Sequence, residues 1–457
     1  MKFDVEWLGA PGVRDRVLAA TWGQLRIEAG DRDVIELVHR PSDTRRVGVY
    51  GPVFPLAEWL VESWWSLLHE PPPRRGLGTG GRDTRSPDPG WVQRHNIFTA
   101  REGMALPDAV LWRDGDDVVI RWSPDPGEEP RSRVRFVGQG QVRVPVEEVE
   151  EAVAALVEAT LQRAEAVVGE DEDVRRVRDA WTAIRTADAG ERDLCRSLAL
   201  LGLDPYDPEE ATPRLEDLLA RLSREVPAAL RDDLLEGVEL RTLEDALVWL
   251  ERSRALLAAP GDRDGAGPPR LRWAASAHET GYRLARKARS EWLGLGAQAP
   301  IADLHGLLVQ RLAWDRGDDP VREVAPSDAW PARSGERALD GLVGPSKDSG
   351  RPVVVVPARR SPTAERFLLA RAAFFELAGA VNQGRLVTRA ATRWQRASRA
   401  FAAELLAPVA GLEAALAGRV GGFVSWDEAE ELAHDFGVNP ILISHQLENH
   451  DLGTVTA

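Results

Sequence analysis

The spacing of apolar residues changes from two to about 3.6 near Val146, and no other feature of this chain constrains its fold as strongly. Before that point the segments alternate: KFDVEWL, GQLRIEA, AVLWRDGDDVVIRW and RVRFVGQGQVRVP, the third pivoting on Asp114-Gly115 and the fourth on Gly138 and Gly140. Residues 1–145 therefore read as a β-rich module. Within it, residues 55–70 (PLAEWLVESWWSLLHE) carry Leu56, Trp59, Leu60, Trp64, Leu67 and Leu68 at helical spacing, which predicts one amphipathic helix with Trp59, Trp64 and Trp65 in the core. The Pro/Gly/Arg-rich run at 71–90 predicts a loop. After Pro145, the stripe Val149, Val153, Leu156, Val157 and Leu161 predicts a long helix, and shorter helical segments continue to residue 258. APGDRDGAGPP at 259–269 is the best linker in the chain.

A chain of 457 residues is too long for one core, and about three domains are expected. No run of 18 apolar residues is present and the start MKFDVEWLG lacks a signal-peptide pattern, so a cytoplasmic protein is expected, with no membrane partner. A single cysteine, Cys195, excludes a disulfide framework. The net charge of -15 argues against a general nucleic-acid binder and leaves room only for a local basic face. Arg385, Arg389, Arg393, Arg396 and Arg399 recur every three or four residues, which predicts that several share a helix face. Such a face is either solvated and paired with acidic helices or a docking surface for a partner.

Residues 351–408 carry the chemistry-bearing pattern. A strand, RPVVVVP, leads into RFLLARAAFFELAG from Arg366, and a later segment, RAFAAELLAP, ends at Pro408. This frame resembles the ImmA/IrrE family of bacterial metallopeptidases, in which a helix RF-x-LA-HE-x-x-H is followed by a helix ending FAAELL-x-P. In a helical HExxH, two His four residues apart share one face and bind zinc, while the Glu acts as general base. The resemblance puts Arg371 and Phe375 at the two His positions, Ala372 at the Glu position and Ala397 at about the third, carboxylate position. Gln395, Arg396, Ser398 and Arg399 supply no substitute ligand. No catalytic residue, metal ligand or cofactor is therefore expected; instead Leu368, Leu369, Phe374 or Phe375, Phe401 and Leu405 are expected to fill the former metal cavity.

The resemblance covers about residues 270–450. It implies a mostly helical zincin-like domain with a small sheet at 270–457; with the β-rich module at 1–145 and the helical region at 146–258 read from periodicity, an α+β multidomain protein is expected. Family members with ligands are intracellular proteases that cut repressors. This chain is expected to be a pseudopeptidase that binds a protein partner as scaffold, sensor or regulator in a stress, prophage or antiviral defence system.

Other readings rest on other residues. SWDEAEELAHDFGVNPILISHQLENHDL has Ser425 and Glu428 as a capping box, then Gly437 and a second helix from Pro440, in the pattern of a helix-turn-helix. A transcriptional regulator using this pair, or the arginines from 385 to 399, is the alternative; yet the second helix offers Gln446 and Asn449 without Lys or Arg. A site built from His95 and Asp108 is a third reading that no spacing supports. His69-Glu70, stopped by three prolines, and His278-Glu279, with no second His, read as bland.

Overall fold

The computed structural model describes residues 1–456 apart from 11, 73–88, 126–132, 208, 211, 259–270, 275, 315–319, 326–338, 359, 381–383 and 418–421. The linker expected at 259–269 and most of the loop expected at 71–90 lie outside the described residues. The protein is mixed α+β and divides into two compact units, Met1–Leu219 and Ala220–Ala457. The boundary between the two units falls inside the helical region expected at 146–258. The change of period marks a change of local structure, and a sheet with one apolar face needs helices to cover it.

In the first unit, strands Lys2–Trp7, Trp22–Ala29 and Arg32–Asp33 form an antiparallel sheet, with Val49–Pro52 also paired to Trp22–Ala29. Asp108–Asp114 and Asp117–Ser123 make the predicted hairpin, whose turn holds Gly115 at φ 74°, a conformation suited to glycine. Gly138 and Gly140 do not close a second hairpin. Val134–Phe136 pairs with Glu36–His39, whereas Gly140–Pro145 pairs with Asp117–Ser123, so the two halves of that segment enter different sheets. Gly140 is required for a different reason: a Cβ there would lie 2.3 Å from the Trp122 ring.

The long helix Val146–Val168 buries the predicted stripe Val149, Val153, Leu156, Val157 and Leu161 in the same core as Leu25, Ile27, Leu111 and Ile120. Each such side chain contributes about 1.5–3 kcal/mol relative to exposure, which binds helix to sheet. The helix expected over 55–70 is two helices, Phe54–Glu62 and Trp64–His69, divided at Ser63. The break lets adjacent indoles reach separate partners. Trp64 meets Trp181 edge-on at 5.0 Å, while Trp65 donates to the Tyr206 hydroxyl at 2.8 Å. All three tryptophans of this segment are buried.

The second unit is built on a four-stranded sheet in the order Val321–Glu323, Pro352–Val356, Leu339–Pro345 and Arg385–Thr388, the first pair parallel and the others antiparallel. The two central strands are buried along their whole length, as in a sheet covered on both faces, and Asp340 is the one charged residue in them. Pro362–Leu377 starts from the cap Ser361, and Arg393–Leu406 starts from the cap Thr392. Helix Ala277–Lys287 crosses Arg393–Leu406 so closely that a Cβ on Gly281 would lie 2.3 Å from the Ala397 carbonyl oxygen. At the C-terminal end, Trp426–Phe436 begins with the predicted capping box and ends at left-handed Gly437, after which Pro440–Asn449 follows. Among the described residues, no helix is long and apolar enough to cross a membrane.

Candidate functional site

The four positions singled out by the peptidase-like frame lie together in the second unit. Arg371, Ala372 and Phe375 sit on Pro362–Leu377, and Ala397 sits on Arg393–Leu406; all four are buried. The apolar half of this region is close-packed. Leu368, Leu369, Phe374, Phe375, Phe401 and Leu405 belong to one core, with Phe374 5.4 Å from Phe375 and 5.7 Å from Phe401 between ring centroids. Trp394 completes the cluster, stacked on Phe375 at 6.3 Å.

The polar half centres on the guanidinium of Arg371, which is 3% exposed. Its Nε donates to Ser398 Oγ at 3.1 Å, and Nη1 to Asp340 Oδ2 at 3.1 Å. Nη2 donates both to the Thr388 carbonyl at 2.7 Å and to Gln395 Oε1 at 2.6 Å. The side chain thereby ties both motif helices to two strands. Gln395 extends the network, donating through Nε2 to Asp233 Oδ2 at 2.9 Å and to the Leu386 carbonyl at 2.6 Å. Asp233 also accepts from Thr392 Oγ1 at 2.6 Å, and Arg360 holds the other oxygen of Asp340 at 2.8 Å.

Burial decides the electrostatics here. It pushes the Arg371 pKa down to about 9, with Arg399 adding repulsion and Asp340 and Asp233 opposing, so the group is still cationic near neutral pH. Burial also raises the Asp233 carboxyl above its usual range, against the hydrogen bonds from Thr392 and Gln395. Arg396 is pushed down to about 10 by burial and by Arg399. Among the described residues no group of three or more His, Cys, Asp or Glu could hold a metal ion.

The arginines expected on one helix face are not on one element. Arg385 is in strand Arg385–Thr388, Arg389 lies in the connection that follows, and only Arg393, Arg396 and Arg399 are on the helix. A β-branched run, Val387-Thr388, and the cap at Thr392 override the apparent period. Arg385 lies over the Trp394 ring at 4.5 Å and Arg393 over Trp273 at 4.3 Å, while Arg389 is exposed.

The remaining candidates separate. Gln446, an amide expected to be available for base reading, is buried and donates to the Ala407 carbonyl at 3.0 Å. His95 and Asp108 do not meet: Asp108 accepts from Asn96 Nδ2 at 2.7 Å, and His95 contacts Glu70 Oε2 at 3.0 Å and the Leu111 carbonyl at 2.6 Å. Glu70 in turn takes two bonds from Arg94, at 3.0 and 2.9 Å. Sequence reasoning passed over this cluster because its members come from segments 25 residues apart, and a lone His-Glu pair carries no spacing signal. Comparison with protein-family models, curated proteins and solved structures finds no match to this chain.

Proposed function

We infer that the unit Ala220–Ala457 is a zincin-like, peptidase-derived scaffold of the ImmA/IrrE kind that binds a protein partner instead of cleaving one. The observation that supports this reading is Arg371: at the position where the resembled family has its first zinc ligand stands a buried cation engaged by Ser398, Asp340, Thr388 and Gln395. Here Arg371 ties helices to a sheet, and Ala372, Phe375 and Ala397 fill the core beside it. On this reading the chain works in a bacterial cytoplasm as a sensor or regulator in stress, prophage or antiviral defence, and the exposed part of the arginine segment, led by Arg389, is the docking surface.

Elemental analysis and incubation with a repressor substrate test the catalytic half. No stoichiometric zinc and no cleavage are expected; one tightly held zinc per chain with metal-dependent proteolysis would overturn the proposal. The binding half predicts that a partner captured by the native protein is lost on Arg389→Glu. DNA regulation is disfavoured by Gln446, whose amide is engaged inside the fold, and salt-dependent duplex binding would revive it.

A further inference from the structure

Within the first unit, helices Trp64–His69, Val146–Val168, Glu172–Thr186 and Ala189–Leu200 meet around a cleft of about 610 Å³. Its wall carries three guanidiniums, Arg185, Arg192 and Arg196, together with Trp64, Trp65 and the imidazole of His69. The volume falls within the roughly 300–1,000 Å³ of small-molecule sites. The composition is that of a site for an anion with an aromatic portion.

His69 is the unusual member. Trp65 stacks on it with centroids 5.9 Å apart and 23° between planes, and its ring nitrogens make no hydrogen bond among the described residues. The neighbouring histidine of the same unit, His95, has both nitrogens engaged. Burial, together with the charges of Arg113 and Arg196, pushes the His69 pKa down to about 3. Near neutral pH the ring therefore offers the cleft one N–H donor and one acceptor instead of a charge.

Two carboxylates, Glu150 and Asp193, also reach the cleft. Three cations against two anions and a neutral imidazole leave a single net positive charge. That balance suits one small anionic group; a polyanion would meet carboxylates, and the net charge of -15 disfavours it further. Guanidiniums present paired N–H donors that match phosphate oxygens. The partly buried imidazole of His69 offers a planar heterocycle a ring and an edge to hydrogen-bond, backed by the buried indole of Trp65.

We propose that this cleft binds a small phosphate ester carrying a planar heterocycle, a mononucleotide, with the phosphate on Arg192 and Arg196 and the heterocycle beside Trp65 and His69. The inference stands apart from the peptidase-derived unit and from its loss of ligands. It makes the first unit the ligand-sensing part of the chain.

Isothermal titration calorimetry of the full chain with adenosine 5′-monophosphate, adenosine and inorganic phosphate tests it. The monophosphate should bind about tenfold or more tightly than inorganic phosphate, the scale of one aromatic stacking contact. Arg196→Gln should weaken it about tenfold or more, as loss of a hydrogen bond to a charged group does, while adenosine binding changes little. Arg196 has contacts within the fold and the exposed Arg192 donates from Nε to the Ala187 carbonyl at 2.9 Å, so Arg192→Gln serves as the second variant, with unfolding midpoints read alongside. No heat from any of the three compounds, equal affinity for the monophosphate and inorganic phosphate, or unchanged affinity in both well-folded variants would each overturn the proposal.

Discussion

Each unit sets a guanidinium against a buried network, half-buried Arg94 in the first and fully buried Arg371 in the second, and the two are neutralised in opposite ways. Arg94 shares Glu70 with His95, so opposite charges face one another directly. Burial alone would raise the Glu70 carboxyl, but the hydrogen bonds from His95 and Arg94 outweigh it and hold the carboxyl below its usual range. Arg371 meets one carboxylate and three neutral oxygens, and burial wins, lowering its pKa. A direct ion pair settles charge in a low-dielectric interior; a ring of neutral acceptors settles geometry instead. The first arrangement joins segments of the first unit through a charge pair, whereas the second ties two helices to two strands of the second unit through one guanidinium.

The largest test of that contrast is the triple change Arg371→His, Ala372→Glu and Phe375→His, which would place the motif of the proposed family in this helix. The guanidinium network would be lost, a carboxylate would enter a position that is fully buried, and an imidazole would replace a core phenyl ring. The combined cost should exceed about 5 kcal/mol, since a large core truncation and the breaking of a buried pair each reach that scale. The second unit should fail to fold, read by hydrogen exchange of its peptides. A folded triple variant that takes up zinc would show that the region can accept a metal site without the Arg371 network.

Next come single breaks in each cluster. Arg371→Met removes the donor to Asp340 Oδ2 and to the Thr388 carbonyl, although Arg360 still holds Asp340 Oδ1, and should cost about 3–5 kcal/mol, as removal of one partner from a buried pair does. Glu70→Gln keeps the shape and loses the charge, and should cost about 1–3 kcal/mol. Denaturant midpoints for the two variants check the order. Equal losses would mean that the charge and the neutral acceptors are of the same worth, and the contrast between the units would fall.

The acid response should also divide the units. His69 has a folded pKa of about 3 against 6.5 when unfolded, so its neutral ring contributes stability that is present above pH 6.5 and is lost as pH falls towards 3. Glu70, with its lowered pKa, adds a loss below 4.5. Asp233 acts in the opposite sense: its raised pKa means that ionisation costs stability, and the cost is relieved as pH falls through that raised value towards 3.8. Acid should therefore weaken the first unit before the second, and His69→Phe should flatten the first unit's dependence between pH 6.5 and 3. Unit-resolved hydrogen exchange across that range is the measurement; a first unit whose protection is flat with pH in the wild type would refute the His69 argument.

What the sequence disclosed follows from range. The stripe Val149 to Leu161, the capping box at Ser425 and the Phe375 core were legible because residues three or four apart on a helix share a face, and an apolar face must be covered. The hairpin on Asp114-Gly115 was legible because its turn is local. The partners of Arg371 were not, because Asp340, Thr388 and Gln395 come from other elements, and only the sheet order brings them together. The arginine spacing misled for the same reason: periodicity holds only inside one element, and a strand end and a helix cap both lie within that run. The Glu70 cluster needed two segments to meet, and no local pattern announces that.

The smallest effect is expected where the two readings of the arginine segment differ most. Arg389 is exposed and lies between the strand and the helix, so Arg389→Ala should change stability by no more than about 0.5 kcal/mol, as surface substitutions away from buried networks do. Arg385, over the Trp394 ring, contacts the aromatic cluster beside Phe375, and Arg385→Ala should cost about 0.5–2 kcal/mol from the lost cation–π contact. Chemical denaturation of both variants separates them. If Arg389→Ala leaves folding intact yet releases a captured partner, the exposed arginine acts on that partner and not on the fold. If Arg389→Ala destabilises as much as Arg385→Ala, Arg389 is a structural residue and the docking surface must be sought elsewhere.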